Sequence, residues 1–151
     1  MSTKFQNGRP RALKGETFLL ETGCGKLYVT VNANGDKRPL EILARMGKTG
    51  GCISSQIEGI ARLMSVSLQE GVEPEKLIKH LKGIRCPSVY EGKGIKVTSC
   101  SDAFAKAVEM FMNGEDVKEE IDNPVCPKCG TKLQKEKNLL ICPKCGFEKA
   151  D

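Results

Sequence analysis

The chain has 151 residues, of which 39% are hydrophobic, and a formal charge of +5. That length holds one ordinary domain plus a small appendage and excludes a large catalytic barrel. No run nears the roughly 18 apolar residues of a membrane span, and the N-terminal MSTKFQNGRPRALKG lacks the apolar centre of a signal peptide, so a cytoplasmic protein without membrane attachment is expected.

Residues 1–15 carry four basic and no acidic side chains and read as a basic N-terminal tail. In TFLLETGCGKLYVTVN, residues 17–32, Leu27, Val29 and Val31 alternate with Tyr28, Thr30 and Asn32, the period of a half-buried strand, with a shorter strand before Cys24. Asn34-Gly35 tolerates positive φ and predicts a tight hairpin turn into a further strand, in which Leu40, Ile42, Ala44 and Met46 alternate against Glu41 and Arg45.

The period then changes. Ile53, Ile57, Ile60, Met64 and Leu68 recur every three or four residues, predicting an amphipathic helix that starts at a capping box, Ser55 with Glu58, and ends at Gly71. Pro74 opens a second helix carrying Leu77, Ile78 and Leu81 and stopping at Gly83; CPSVYEGKG after it reads as a loop. A third helix is expected from an N-cap at Ser101, with Asp102 in its positive first turn and Phe104, Ala107, Val108 and Phe111 facing the core. The chain from 16 to 112 is thus an α+β domain, a small antiparallel sheet of about three strands followed by three helices. Residues 113–123 hold five acids against one lysine and read as a solvated linker before a separate unit at 124–151.

The eight cysteines carry the chemistry, because cytoplasmic thiols stay reduced and serve metals or redox exchange rather than disulfide frameworks. Cys126-Pro-Lys-Cys129-Gly and Cys142-Pro-Lys-Cys145-Gly repeat with twelve residues between the pairs. Two C-x-x-C turns at that distance bring four thiolates to the corners of a tetrahedron, the pattern of a zinc ribbon; the competing reading is a dithiol shuttle. Leu139, Leu140, Ile141 and Phe147 are too few to make a core without metal.

The other four are single. Cys24 falls between the first strands, Cys52 and Cys100 at two helix starts, and Cys86 in the loop before the third helix; if the helices cover one sheet face, these places converge at one end. Helix N-termini favour thiolates, so a second metal site, zinc or an iron–sulfur cluster, is expected there, against burial as small hydrophobes. A catalytic nucleophile has no support, since the lone histidine, His80, lies mid-helix among lysines.

The segments RPRALKGETFLLETGCGKLYVTVN, ARMGKTGGCISSQIEGIARL, LKGIRCPS and VTSCSDAFAKAVE closely resemble the TSCPD domain at the C-terminus of adenosylcobalamin-dependent (class II) ribonucleotide reductases. The five-residue motif is here Thr98-Ser99-Cys100-Ser101-Asp102, with serine where the family usually has proline, and the match runs from about Arg9 to Met112. The resemblance implies an accessory module that is not catalytic alone, docks on a reductase catalytic subunit that supplies the adenosylcobalamin, and meets a thioredoxin-like reductant. In those reductases, too, a cysteine-rich tail follows the domain. A weaker similarity, in the order of strands, helices and cysteines, is to iron–sulfur scaffold proteins of the IscU type, with Cys24, Cys52 and Cys100 in the scaffold's positions and Cys86 as fourth ligand. It implies a free-standing metal or cluster carrier. The basic ribbon leaves a third reading, a nucleic-acid-binding regulator.

Overall fold

The computed structural model describes residues 5, 8–47, 51–114, 126, 128–129, 133–136 and 139–150, and the chain divides into two units, Met1–Val117 and Lys118–Asp151. The first unit is built on a three-stranded antiparallel sheet, β1 (Lys14–Thr22), β2 (Gly25–Ala33) and β3 (Pro39–Met46), in that order across the sheet. Period-2 alternation sets its faces: Phe18, Leu20, Leu27, Val29, Val31 and Ile42 are buried on one side, and Leu19, Tyr28 and Leu43 are exposed on the other.

The sequence shortens β1, which in fact pairs along all nine residues. Its first half, Lys14–Thr17, is exposed and carries no apolar alternation; ladder hydrogen bonds and a Thr17–Thr30 hydroxyl contact of 2.8 Å extend it. The tight turn expected at Asn34-Gly35 is instead a five-residue loop, 34–38. Gly35 takes the positive φ, but Asp36 Oδ1 accepts the Arg38 N–H (3.0 Å) and a register irregularity at Asn32/Ala33 delays re-pairing until Pro39. On the outer face at that end Glu41 accepts hydrogen bonds from Asn32 Nδ2 (2.8 Å) and from Arg9 Nε and Nη2 (2.6 and 3.0 Å), which pins Arg9 to the sheet. The Arg9 hydrogen bonds outweigh the cost of burial, which would raise the Glu41 carboxyl, and with the Asn32 bond hold it below its usual range.

Helix α1 (Cys52–Gln69) runs along β3 and buries Ile57, Ala61, Met64 and Leu68. Two of its polar side chains satisfy backbone groups of that edge strand: Ser65 Oγ accepts the Ile42 N–H (2.8 Å) and Gln69 Nε2 donates to Leu40 O (3.1 Å). The expected capping box is overturned. The N-cap is Gly51, at φ 78° and ψ −148°, a conformation essentially reserved for glycine, so the helix starts three residues before Ser55. Ser55 Oγ donates back to Cys52 O (2.9 Å), Glu58 pairs with Arg62, and Ile53 lies outside the apolar stripe, exposed.

Helix α2 (Pro74–Leu81) keeps its expected bounds and packs on α3 (Cys100–Asn113), which crosses β1 and β2 with Phe104, Ala107, Val108 and Phe111 buried. The α3 N-cap is Ser99, not Ser101: extended at φ −167°, it accepts the Asp102 N–H on its hydroxyl (3.1 Å), so Cys100 stands inside the first turn. The segment read as a loop after Cys86 holds a small hairpin, β4 (Tyr90–Gly92) and β5 (Ile95–Val97), closed by Lys93 and Gly94, both at positive φ. It joins β1 through a hydrogen bond from the Tyr90 hydroxyl to the Glu21 carboxylate. No helix among the described residues is long and apolar enough to cross a membrane. Of the acidic run at 113–123, residues 115–123 lie outside the described residues.

Candidate metal centres

The second unit contains a three-stranded antiparallel sheet, β6 (Gln134–Glu136), β7 (Leu139–Ile141) and β8 (Glu148–Ala150). Among its described residues, Leu133 and Leu140 are buried together with Cys126 and Cys142, and Phe147 packs at their side. The turn after Cys142 is fastened by Gly146 N–H to Cys142 O (3.0 Å) and Cys142 N–H to Phe147 O (2.8 Å). These turns direct the sulfurs of Cys126, Cys129, Cys142 and Cys145 to within 4.8 Å of one another.

Three of the separations are 3.5 Å (Cys126–Cys145), 3.4 Å (Cys129–Cys142) and 3.6 Å (Cys129–Cys145). They are far too long for disulfides, whose S–S bond is about 2.05 Å. A tetrahedron with metal–sulfur bonds of about 2.3 Å has edges of about 3.8 Å, so the four fit one tetrahedral ion, such as zinc, with little adjustment. Electrostatics agree. The Phe147 N–H favours the Cys145 thiolate, but hydrogen bonds with Cys126 and the other two thiols, with burial, push this thiol up from 9.0 to about 12. Four thiolates at these distances repel unless a cation lies among them.

Three of the four upstream cysteines, Cys24, Cys86 and Cys100, lie close together in the first unit. Cys24 forms, with Gly23, the two-residue turn between β1 and β2, and its N–H donates to Thr22 Oγ1 (3.2 Å). Cys100 Sγ reaches the same hydroxyl at 3.9 Å. Burial pushes the Cys100 thiol up, the Thr22 contact partly offsets it, and the nearby Cys24 and Cys86 add to the rise. Cys86 is held by its N–H on Thr98 O (3.0 Å) and donates its own thiol to Ser88 O (3.2 Å). Cys24, Cys86 and Cys100 therefore share one environment, although no three of the upstream sulfurs gather within 4.8 Å as the C-terminal set does. Cys52, first residue of α1, is exposed, and His80 is exposed in the last turn of α2, remote in role from either centre.

What assembles the three is the motif around Cys100. Asp102, 1% exposed, accepts the N–H groups of Gly83 (2.8 Å) and Thr98 (3.1 Å) and pairs with Lys106. Thr98 Oγ1 donates to Ile84 O (2.7 Å). The segment from Gly83 to Cys86 is thus tied to the start of α3 by three hydrogen bonds from or to Thr98 and Asp102. Burial would raise the Asp102 carboxyl, but the Lys106 bond and then the Gly83 and Thr98 N–H groups outweigh it and hold it below its usual range. Sequence reading places Asp102 only as a dipole partner; its clamp, the Thr22 hydroxyl and buried Leu133 carry no periodic or spacing signal.

Gly23 has a second task. A Cβ there would stand 2.1 Å from Ser88 O, so the turn bearing Cys24 lies directly on the backbone beyond Cys86. Gly23→Ala is expected to separate these two loops, lowering stability by about 2 kcal/mol. A thermal melt checks the stability, and the accessibility of Cys24 and Cys86 to a thiol reagent, which should rise, checks the separation.

A family model described as the TSCPD domain matches residues 2–112. No curated protein and no solved structure gives a significant match to the chain.

Proposed function

Because the chain belongs to the TSCPD domain family, we propose that it is a metal-binding accessory module of an adenosylcobalamin-dependent, class II ribonucleotide reductase, acting in the cytoplasm. The four-cysteine cluster at 126–145 carries the metal-binding part of the reading. In it, Cys126, Cys129, Cys142 and Cys145 hold zinc as a zinc ribbon, and Cys24, Cys86, Cys100 and Cys52 hold a second zinc or an iron–sulfur cluster. Zinc bound there supplies a closed structural crosslink; a cluster at the upstream site would add electron transfer. The chain's own residues do the rest: Thr22 and Asp102 set the loops, and the docked module assists the regulation or re-reduction of the catalytic subunit, with a thioredoxin-like protein as electron source.

The family match supports a role beside a catalytic subunit, which supplies the adenosylcobalamin. The test is capture of a class II catalytic subunit by the tagged full chain, with metal analysis of both. Retention of that subunit and a change in its turnover are expected. A clean pull-down without it, and no effect on turnover, overturns the reading.

One observation favours a second reading: three thiols share the loop end of a small α+β unit, as a carrier of metal or an iron–sulfur cluster requires. Visible charge-transfer absorbance after anaerobic purification, lost in Cys100→Ala, would favour the carrier.

A further inference from the structure

Strand β3 closes one side of its sheet, so half of its backbone groups need partners other than β2. The register settles which residues these are. In an antiparallel pair, successive residues turn their N–H and C=O groups alternately toward the neighbouring strand and away from it. The Gly47 N–H bonds Lys26 O across the ladder, whereas the Ile42 N–H bonds the Ser65 hydroxyl on α1, which also stands 3.0 Å from Ile42 O. Ile42, Ala44 and Met46 therefore turn outward, and Glu41, Leu43 and Arg45 pair with β2.

Helix α1 fills only part of this outward row. Gln69, Ser65 and Ala61 follow one another at helical spacing past the strand. Gln69 donates to Leu40 O and Ser65 serves Ile42, but the Ala61 side chain has no polar atom to offer. Among the described residues the Ala44 N–H and C=O have no hydrogen-bond partner. Beside them lies a groove of about 670 Å³, walled by Ala61, Ser54 and Glu58 of α1 and by Tyr28, Leu43 and Arg45 of the sheet. Leu43 is 50% exposed and Tyr28 40%. Arg9, Arg38 and Arg62 are each paired with a glutamate, whereas exposed Arg45 has no acidic partner among the described residues.

We infer that the open edge at Ala44 is a docking site for an extended segment of a partner protein, which adds there as a short strand and brings a carboxylate to Arg45 and an apolar side chain to Leu43. A strand that bonds Ala44 sets its own side chains opposite Leu43 and Arg45 on the outer face, two positions apart, at the distance of cross-strand pairs. Main-chain hydrogen bonds supply the attachment, and these two pairs supply the selection. Charge decides the occupant. A second copy related by a two-fold axis at Ala44 would set each Arg45 against Leu43 of the other chain, leaving both arginines without a carboxylate. Its next hydrogen bonds would fall on Ile42, whose groups Ser65 already holds. An acidic segment of another protein meets neither obstacle.

The test challenges the immobilised full chain with a displayed library of random short peptides. Enriched sequences are expected to carry an acidic residue two positions from an aliphatic one. A selected peptide should protect the Ala44 amide from hydrogen exchange and bind Ala44→Pro and Arg45→Glu more weakly by about tenfold or more. Ala44→Pro removes only the outward N–H, a change that edge strands tolerate, and circular dichroism checks its fold. If that variant misfolds, hydrogen exchange of the wild type decides. An Ala44 amide already protected in the free monomer, or left unprotected by bound peptide, overturns the inference. So does a library that enriches nothing, or a selected peptide that binds either variant as tightly as the wild type. Protection of Ala44 that grows with protein concentration alone identifies a second copy as the occupant and overturns the assignment to an acidic partner.

Discussion

Cys142→Ala is expected to abolish metal binding by the C-terminal unit and unfold it while the first unit melts as before. Cys142 is 1% exposed and belongs, among the described residues, to a core of four buried side chains, two of them cysteines. Two leucines bury too little surface to offset the ordering of some 25 residues, so the unit's folding energy is the metal's binding energy, roughly 10–16 kcal/mol for a structural zinc site. Losing one of four thiolates should weaken binding by more than about 100-fold. Zinc content by mass spectrometry and amide spectra of residues 126–150 check both halves of the expectation. An unfolded spectrum confined to that unit is the predicted result; a folded, zinc-free unit would refute it.

The pH dependence of the same site has a definite sign. Protons compete with metal for the sulfurs, so occupancy falls as pH falls.

Asp102→Ala should lower the stability of the first unit by about 3 kcal/mol, because it strands the N–H groups of Gly83 and Thr98 and the Lys106 ammonium beside a buried cavity. For a domain of this size that is a fall in Tm of about 10–20 °C. Asp102→Asn should lie between, keeping the shape but not the charge. The wild-type carboxylate, lowered from 3.8, stabilises the fold above pH 3.8, and that contribution is lost as pH falls through the lowered value. The alanine variant should therefore lose less stability on acidification than the wild type. Some acid dependence should persist, since Glu41 is lowered from 4.5 by Arg9. Denaturant melts at pH 7 and pH 3 test this; equal acid losses in the two proteins would refute the clamp.

The sheet and helices were legible in the sequence wherever one face is apolar. Leu27, Val29 and Val31, all fully buried, mark β2 by alternation, and Phe104, Ala107, Val108 and Phe111 mark α3 by helical spacing. Boundaries failed where local side chains compete with the backbone. Ser55 and Ser101 look like N-caps as good as Ser99, and only Gly51's unusual backbone and the pairing of Asp102 with Gly83 decide among them. The C-terminal cysteines were legible because their ligands are local and repeated. The upstream set was legible only as candidates, because hydrogen bonds spanning up to 78 residues, such as Cys100 to Thr22, leave no trace in spacing.

That span has a consequence for biosynthesis. The C-terminal site is made from twenty consecutive residues, 126–145, and can assemble as soon as they leave the ribosome. The upstream thiols come together only after Thr22 has waited for Cys100, and the loop that holds Cys86 is not locked until Asp102 has been translated and meets Gly83. Closing such distant contacts is slow, and their entropy cost precedes their reward. A nascent chain therefore presents Cys24 and Cys52 as separate thiols until translation has passed residue 102 and the domain has closed.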